Sequence, residues 1–134
     1  MYLCPFFIEN IPAIATETGT TLQPAYLSLG GAWLAIQHPG IHVSTQEAYA
    51  GVTPKKADNS LEAILNTPIE NWRSTLINDF EASIFPNHPA IEQLKSSLYE
   101  KGASYAAMSG SGSAVFGIFA EEVELDGFEV FELR

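Results

Sequence analysis

Basic residues are scarce in this chain. Six lysines and arginines stand against 16 acids in 134 residues, a formal charge of −10. Six of those acids fall in residues 121–134, and the bases are scattered. DNA and RNA need a basic footprint, so nucleic acid is excluded as a main partner, and so is an anionic membrane surface. Cysteine is almost missing: Cys4 stands alone, no internal disulfide can form, and a reducing, cytoplasmic setting is expected. No apolar run reaches the length of a membrane span. No basic stretch leads into an apolar core at the N-terminus, as a secretory signal requires. There is no internal repeat and no low-complexity tract. Charge is low at 16%, but 46% of the residues are hydrophobic, enough to bury one core. One domain is expected, with at most a fragment of a second.

Punctuation by proline and glycine organises what is present. Pro12 and Pro24 bracket a Thr-rich stretch, residues 13–22, with Gly19 inside it, which reads as a short strand or hairpin. Gly30 and Gly31 open the apolar run 32–36, closed by Pro39 and Gly40, a buried-strand signature. Ser44 followed by Glu47 is a capping box, in which the hydroxyl takes an amide and the acid reaches back. Thr67 with Glu70 is a second, with Pro68 at the first helical position. Asn59 with Glu62 is a weaker third, after a polar surface loop at 54–59. Residues 89–101 read as the clearest helix, with Ile91, Leu94 and Leu98 on one stripe, Glu92 placed to pair with Lys95, and Gly102 as terminator. Then come a strand at 103–108, a glycine-rich loop at 109–113 and a strand at 114–119. An acidic link, 121–126, leads to an alternating edge strand at 128–133. This order predicts an α+β fold, an antiparallel sheet backed by helices.

The loop Ser109-Gly110-Ser111-Gly112-Ser113 is the most informative local feature. Glycines at alternate positions allow positive φ and can turn successive N–H groups to one side, forming a nest for phosphate oxygens. A plain flexible turn is the competing reading. The loop is not a Walker P-loop, since no Lys follows and no helix opens there. It is not a nucleophile elbow, since Ser111 lacks the Gly two residues before and two after it that an elbow uses, and has no evident His or acid partner. His38 and His42 are separated by Pro39 and Gly40 and cannot share a helical face, so no metal site is expected. His88 reads as the first turn of a helix. Thr45 and Tyr49 stack on one face of the helix opened by Ser44, where Tyr49 can pack a flat ligand ring or simply the core. Asn78-Asp79-Phe80-Glu81 reads as capping plus core.

Four stretches together carry a resemblance that covers nearly the whole chain. They are Cys4-Pro5-Phe6-Phe7-Ile8, then Ile41-His42-Val43-Ser44-Thr45-Gln46-Glu47-Ala48-Tyr49, then Asn78-Asp79-Phe80-Glu81, then Met108 with the Ser/Gly loop and Ala114-Val115-Phe116. In order and spacing they resemble the C-terminal part of the 4-diphosphocytidyl-2-C-methyl-D-erythritol kinases, within the GHMP small-molecule kinase superfamily. The resemblance implies a GHMP-kinase C-terminal lobe over 29–134, with a ferredoxin-like antiparallel sheet, and a remnant of the N-terminal lobe over 1–28. It implies transfer of the ATP γ-phosphoryl to a hydroxyl of the cytidine diphosphate substrate, with Mg2+ accompanying ATP, in the non-mevalonate route to isoprenoid precursors. Tyr49 matches the aromatic that stacks on cytosine, and Thr45 a residue lining the substrate pocket. Ser109, Gly110, Ser111 and Gly112 match the superfamily motif near the phosphates.

The departures are equally specific. The family's catalytic base is an Asp, and its place here is Leu3, which cannot take a proton; losing a general base costs ~10²–10⁴-fold. The upstream loop that holds ATP phosphates has no counterpart. Glu17 and Thr20 stand where the family often has Gly and Glu, and the lobe's final helix is reduced to the link 121–126. The expectation is a truncated chain, inactive alone, with no tightly bound cofactor, and with an apolar N-terminal segment (Phe6, Phe7, Ile8) open to homodimerisation. Another GHMP kinase, acting on homoserine, mevalonate or a sugar, and a non-catalytic metabolite-binding module are the alternatives.

Overall fold

A computed structural model describes residues 4–134 of the protein. The chain opens with a short helix, α1 (Cys4–Glu9), whose Phe7 and Ile8 are exposed. Next comes the hairpin expected near the bracketing prolines, β1 (Ala13–Thr16) and β2 (Thr21–Pro24), paired antiparallel with Ala13 opposite Pro24. Its turn passes through Glu17 at φ 57°, a left-handed conformation that glycine adopts without strain. The hairpin is a sheet of its own, separate from the main one.

The main sheet has four strands: β3 (Trp33–Gln37), β4 (Tyr105–Met108), β5 (Val115–Phe119) and β6 (Glu129–Glu132). Their order across the sheet is β4-β5-β3-β6, antiparallel at every pairing. Counted from the other edge, and numbered within this sheet, that is 4-1-3-2, the ferredoxin-like order. The α+β expectation holds. β6 is an edge strand, as its alternation suggested. The second crossover of such a fold normally carries a helix, and here the chain runs from β5 to β6 without one.

Helices fill the long connection from β3 to β4: α2 (Thr45–Ala50), α3 (Leu61–Leu65), a 3₁₀ turn (Ile69–Asn71), α4 (Trp72–Thr75), α5 (Asp79–Ile84) and α6 (Pro89–Glu100). On one sheet face α6 lays Ile91 and Leu98, both fully buried, against Ala35, Ala106, Met108 and Val115. Each such buried aliphatic side chain contributes about 1.5–3 kcal/mol. The other face carries a second cluster in which Ile64 and Trp72 meet Tyr105, Ala107 and Ile118. Trp72 Nε1 donates to the carbonyls of Ile64 and Thr67, at 3.1 and 3.2 Å, which closes α3 onto α4.

Three local expectations need correction. Thr67 does not cap a helix. Its hydroxyl donates backward to Ile64 O at 2.6 Å, where it helps satisfy the carbonyls left open at the end of α3. The next element is a 3₁₀ turn with no side-chain cap. The third cap is made by Ser60, not Asn59: Ser60 Oγ accepts the Ala63 amide. Lys95 does not pair with Glu92 but with the buried Glu81, which offers a desolvated carboxylate instead of an exposed one.

Candidate functional site

The helix expected after Ser44 forms as α2, with Ser44 as its N-cap. Ser44 Oγ accepts the Glu47 amide at 3.0 Å. Glu47 does not reach back to complete the box; its Oε1 meets His88 Nε2 at 2.7 Å, tying α2 to the start of α6. Thr45 and Tyr49 are both exposed, Tyr49 at 51%. The Tyr49 ring is held by an edge contact with Phe80 of α5, with centroids 4.9 Å apart and planes at 80°. That contact fixes the ring while leaving surface free for stacking. Ser83 Oγ donates to Ala48 O at 2.9 Å and holds the two helices together.

The Ser/Gly loop joins β4 to β5. The Ser109 amide donates to Ala114 O at 2.8 Å and the Gly112 amide to Ser109 O at 3.0 Å, which closes the loop. The amides of Gly110 and Ser111 meet no acceptor among the described residues. Gly110 takes φ 56° and Gly112 φ 93°, so both use the conformational range that only glycine enters freely. A Cβ at Gly112 would also lie 2.9 Å from Met108 Sδ, whereas one at Gly110 would meet nothing.

Loop and ring are joined through α5, a link that sequence reading did not find. Asn78 caps α5 by accepting the Phe80 amide at 3.0 Å. Its Nδ2 donates to Met108 O and Gly110 O, each at 2.8 Å. Glu81 accepts the Met108 amide at 2.9 Å. The only signal was the Asn78-Asp79-Phe80-Glu81 tetrapeptide itself, read as capping plus core. The structure brings Thr45 and Tyr49 onto one face and ties that face to the loop through one helix. It does not place them in one hollow. The apolar cavity of about 650 Å³ that Ser109 borders is lined by Leu34, Ile36, Trp72, Tyr105 and Phe116, and Tyr49 is not part of it. Tyr105 donates to Leu76 O at 2.7 Å. Burial holds its phenol well above the ordinary range, with the nearby Glu81 carboxylate and Tyr99 adding to the effect. Leu3 lies outside the described residues.

Residues 60–129 match the family described as GHMP kinases C terminal. The chain belongs to the GHMP kinases and carries their C-terminal domain. Within them it is similar to curated proteins named 4-diphosphocytidyl-2-C-methyl-D-erythritol kinase. The one from Parabacteroides distasonis is 53% identical over 116 residues, 87% of this chain and 43% of that protein. The one from Cytophaga hutchinsonii is 49% identical over 122 residues, 90% of this chain and 45% of that protein. The chain therefore spans less than half the length of these relatives. A crystal structure of a 4-(cytidine 5'-diphospho)-2C-methyl-D-erythritol kinase superposes with a TM-score of 0.73 at 29% identity, over 88% of this chain and 44% of that one. A homoserine kinase from Cytophaga hutchinsonii superposes at 0.54 with 19% identity, over 76% of this chain and 36% of that one, and shares the fold. Among the described residues, no helix is long and apolar enough to cross a membrane.

Proposed function

We propose that this chain forms the substrate-facing lobe of a kinase that phosphorylates a hydroxyl of 4-diphosphocytidyl-2-C-methyl-D-erythritol with ATP, in the non-mevalonate route to isoprenoid precursors. The observation that carries this reading is the attachment to one helix, α5, of an exposed, braced Tyr49 and of a Ser/Gly loop whose Gly110 and Ser111 amides have no internal acceptor among the described residues. In it, Tyr49 stacks on the cytosine ring, Thr45 lines the same face, and the loop from Ser109 to Gly112 turns amides toward phosphate oxygens. Base stacking on one aromatic contributes about 1–3 kcal/mol, and free amides bind phosphate without any basic side chain. The names of the curated relatives supply the substrate.

In this reading the loop can serve the phosphates of ATP as well as those of the substrate. Magnesium is different. Among the described residues no three His, Cys, Asp or Glu side chains converge on a metal position, so the ion would have to be held by residues outside that set or arrive with the nucleotide. When bound, it would neutralise phosphate charge. The chain's own residues here bind and orient; with Leu3 in the place of the base, none of them takes the hydroxyl proton. The chain alone is therefore read as inactive, with residues 29–134 as the kinase C-terminal domain and 1–28 as a remnant of the other lobe. Exposed Phe7 and Ile8 on α1 support homodimerisation through that remnant. The single cysteine suits a cytoplasmic protein.

Calorimetric titration of the purified chain with cytidine, uridine and adenosine diphosphates tests the reading, alongside an ATP-consumption assay. Preference for the cytidine compound, weakened by Tyr49→Leu, with no ATP turnover, is expected. Equal binding of all three, or none, would overturn it.

A further inference from the structure

The Asn78-Asp79-Phe80-Glu81 turn serves two parts of the molecule at once. Asn78 and Glu81, three residues apart, both reach the end of β4 just before the Ser/Gly loop. Asn78 Nδ2 holds Met108 O, and Glu81 Oε1 holds the Met108 amide, so both backbone polar groups of Met108 are taken by one helical turn. The second Nδ2 hydrogen goes to Gly110 O, inside the loop. Phe80, between them, braces the Tyr49 ring instead. Asn78 is the residue common to both connections. Its Oδ1 is fixed by the Phe80 amide and its two donors by one carbonyl at the end of β4 and one in the loop, so three of the four bonds an asparagine side chain offers are made. The carboxamide cannot rotate without breaking them together.

We propose that Asn78 is a positioning residue that sets the spacing between the Ser/Gly loop and the Tyr49 ring. The role rests on the reading of those two features as one ligand site. A loop with two glycines at positive φ has many conformations open to it. The bond to Gly110 O selects one, and the bond to the Phe80 amide refers it to the same helix turn that seats the ring. A ligand that spans both ends, a nucleoside diphosphate, depends on that spacing. A ligand that uses the ring alone does not.

Two variants separate the connections. Asn78→Asp keeps the size and the acceptor that caps α5, but turns a carboxylate oxygen toward two carbonyls. Asn78→Ser keeps a capping hydroxyl and lacks the reach to the loop. In NMR spectra of the full chain, both are expected to speed exchange of the Gly112 amide about tenfold, as loss of the loop's tethering bonds allows, and to shift the Tyr49 ring resonances. An unchanged loop in both variants would overturn the proposal, and so would a loosened loop with Tyr49 resonances unmoved. In calorimetry, cytidine diphosphate should bind each variant about tenfold more weakly than the parent chain, while cytidine alone changes less than about threefold. Equal losses for the two ligands would overturn it too. If the parent chain binds neither, the assignment of the site fails by itself, and the exchange data still decide whether Asn78 couples loop to ring.

Discussion

Glu81 accepts the amide of Met108 at 2.9 Å on one carboxylate oxygen, and the ammonium of Lys95 meets the other. Glu81 is only 7% exposed, so little water can replace either partner. Glu81→Leu should destabilise the chain by about 3–5 kcal/mol, because it leaves an amide and an ammonium without partners. The double variant with Lys95→Met should recover part of that loss, since an apolar pair of similar volume replaces a buried ion pair at little cost. Urea unfolding of the parent, the two single variants and the double variant checks both statements; additive losses would contradict them.

The two loop glycines should respond unequally to alanine. Both would force a Cβ into a left-handed backbone, at about 1–2 kcal/mol. Gly112→Ala adds a clash with Met108 Sδ, while Gly110→Ala has open space. Thermal unfolding should therefore show the larger fall for Gly112→Ala.

Tyr105 gives the fold an alkaline limit. Burial raises its folded-state phenol above the unfolded value of about 10. A raised value means the stabilisation is complete below that pH and is lost above it, as the unfolded phenol ionises and the folded one does not. Stability should fall above pH ~10, approaching ~1.4 kcal/mol per pH unit from this group. Tyr105→Phe should remove that component of the slope. It should also lower stability near neutrality by about 1 kcal/mol through the lost bond to Leu76 O. Unfolding curves from pH 8 to about 12 measure both effects.

What the sequence disclosed was local. Ser44 and the Glu47 amide are three residues apart, and that bond formed as its spacing required. Thr45 and Tyr49 share a face because four residues make one helical turn. The failures lie where a distant partner outcompeted a near one. The Glu47 carboxylate went to His88, 41 positions on, and Lys95 passed over Glu92 for Glu81. Thr67 carried every local sign of a cap and turned instead to the carbonyl of Ile64, behind it. Strand existence was legible in apolar runs. The order β4-β5-β3-β6 was not, because it sets Gln37 opposite Val115 and Ile36 opposite Glu129, pairings between distant segments that no local pattern encodes. For the same reason the loop's glycines were visible and its tether, Asn78, was not: a carboxamide 32 positions away holds Gly110 O.

The most direct test is one NMR titration of the chain with cytidine diphosphate, following the Tyr49 ring protons and the Gly110 and Ser111 amides together. A single ligand bridging ring and loop should move all three along one binding curve, and Tyr49→Leu should weaken that curve by about 5- to 150-fold, the equivalent of one base stack. Saturation of the amides without movement of the ring, or of the ring without the amides, would mean that the two do not serve one ligand.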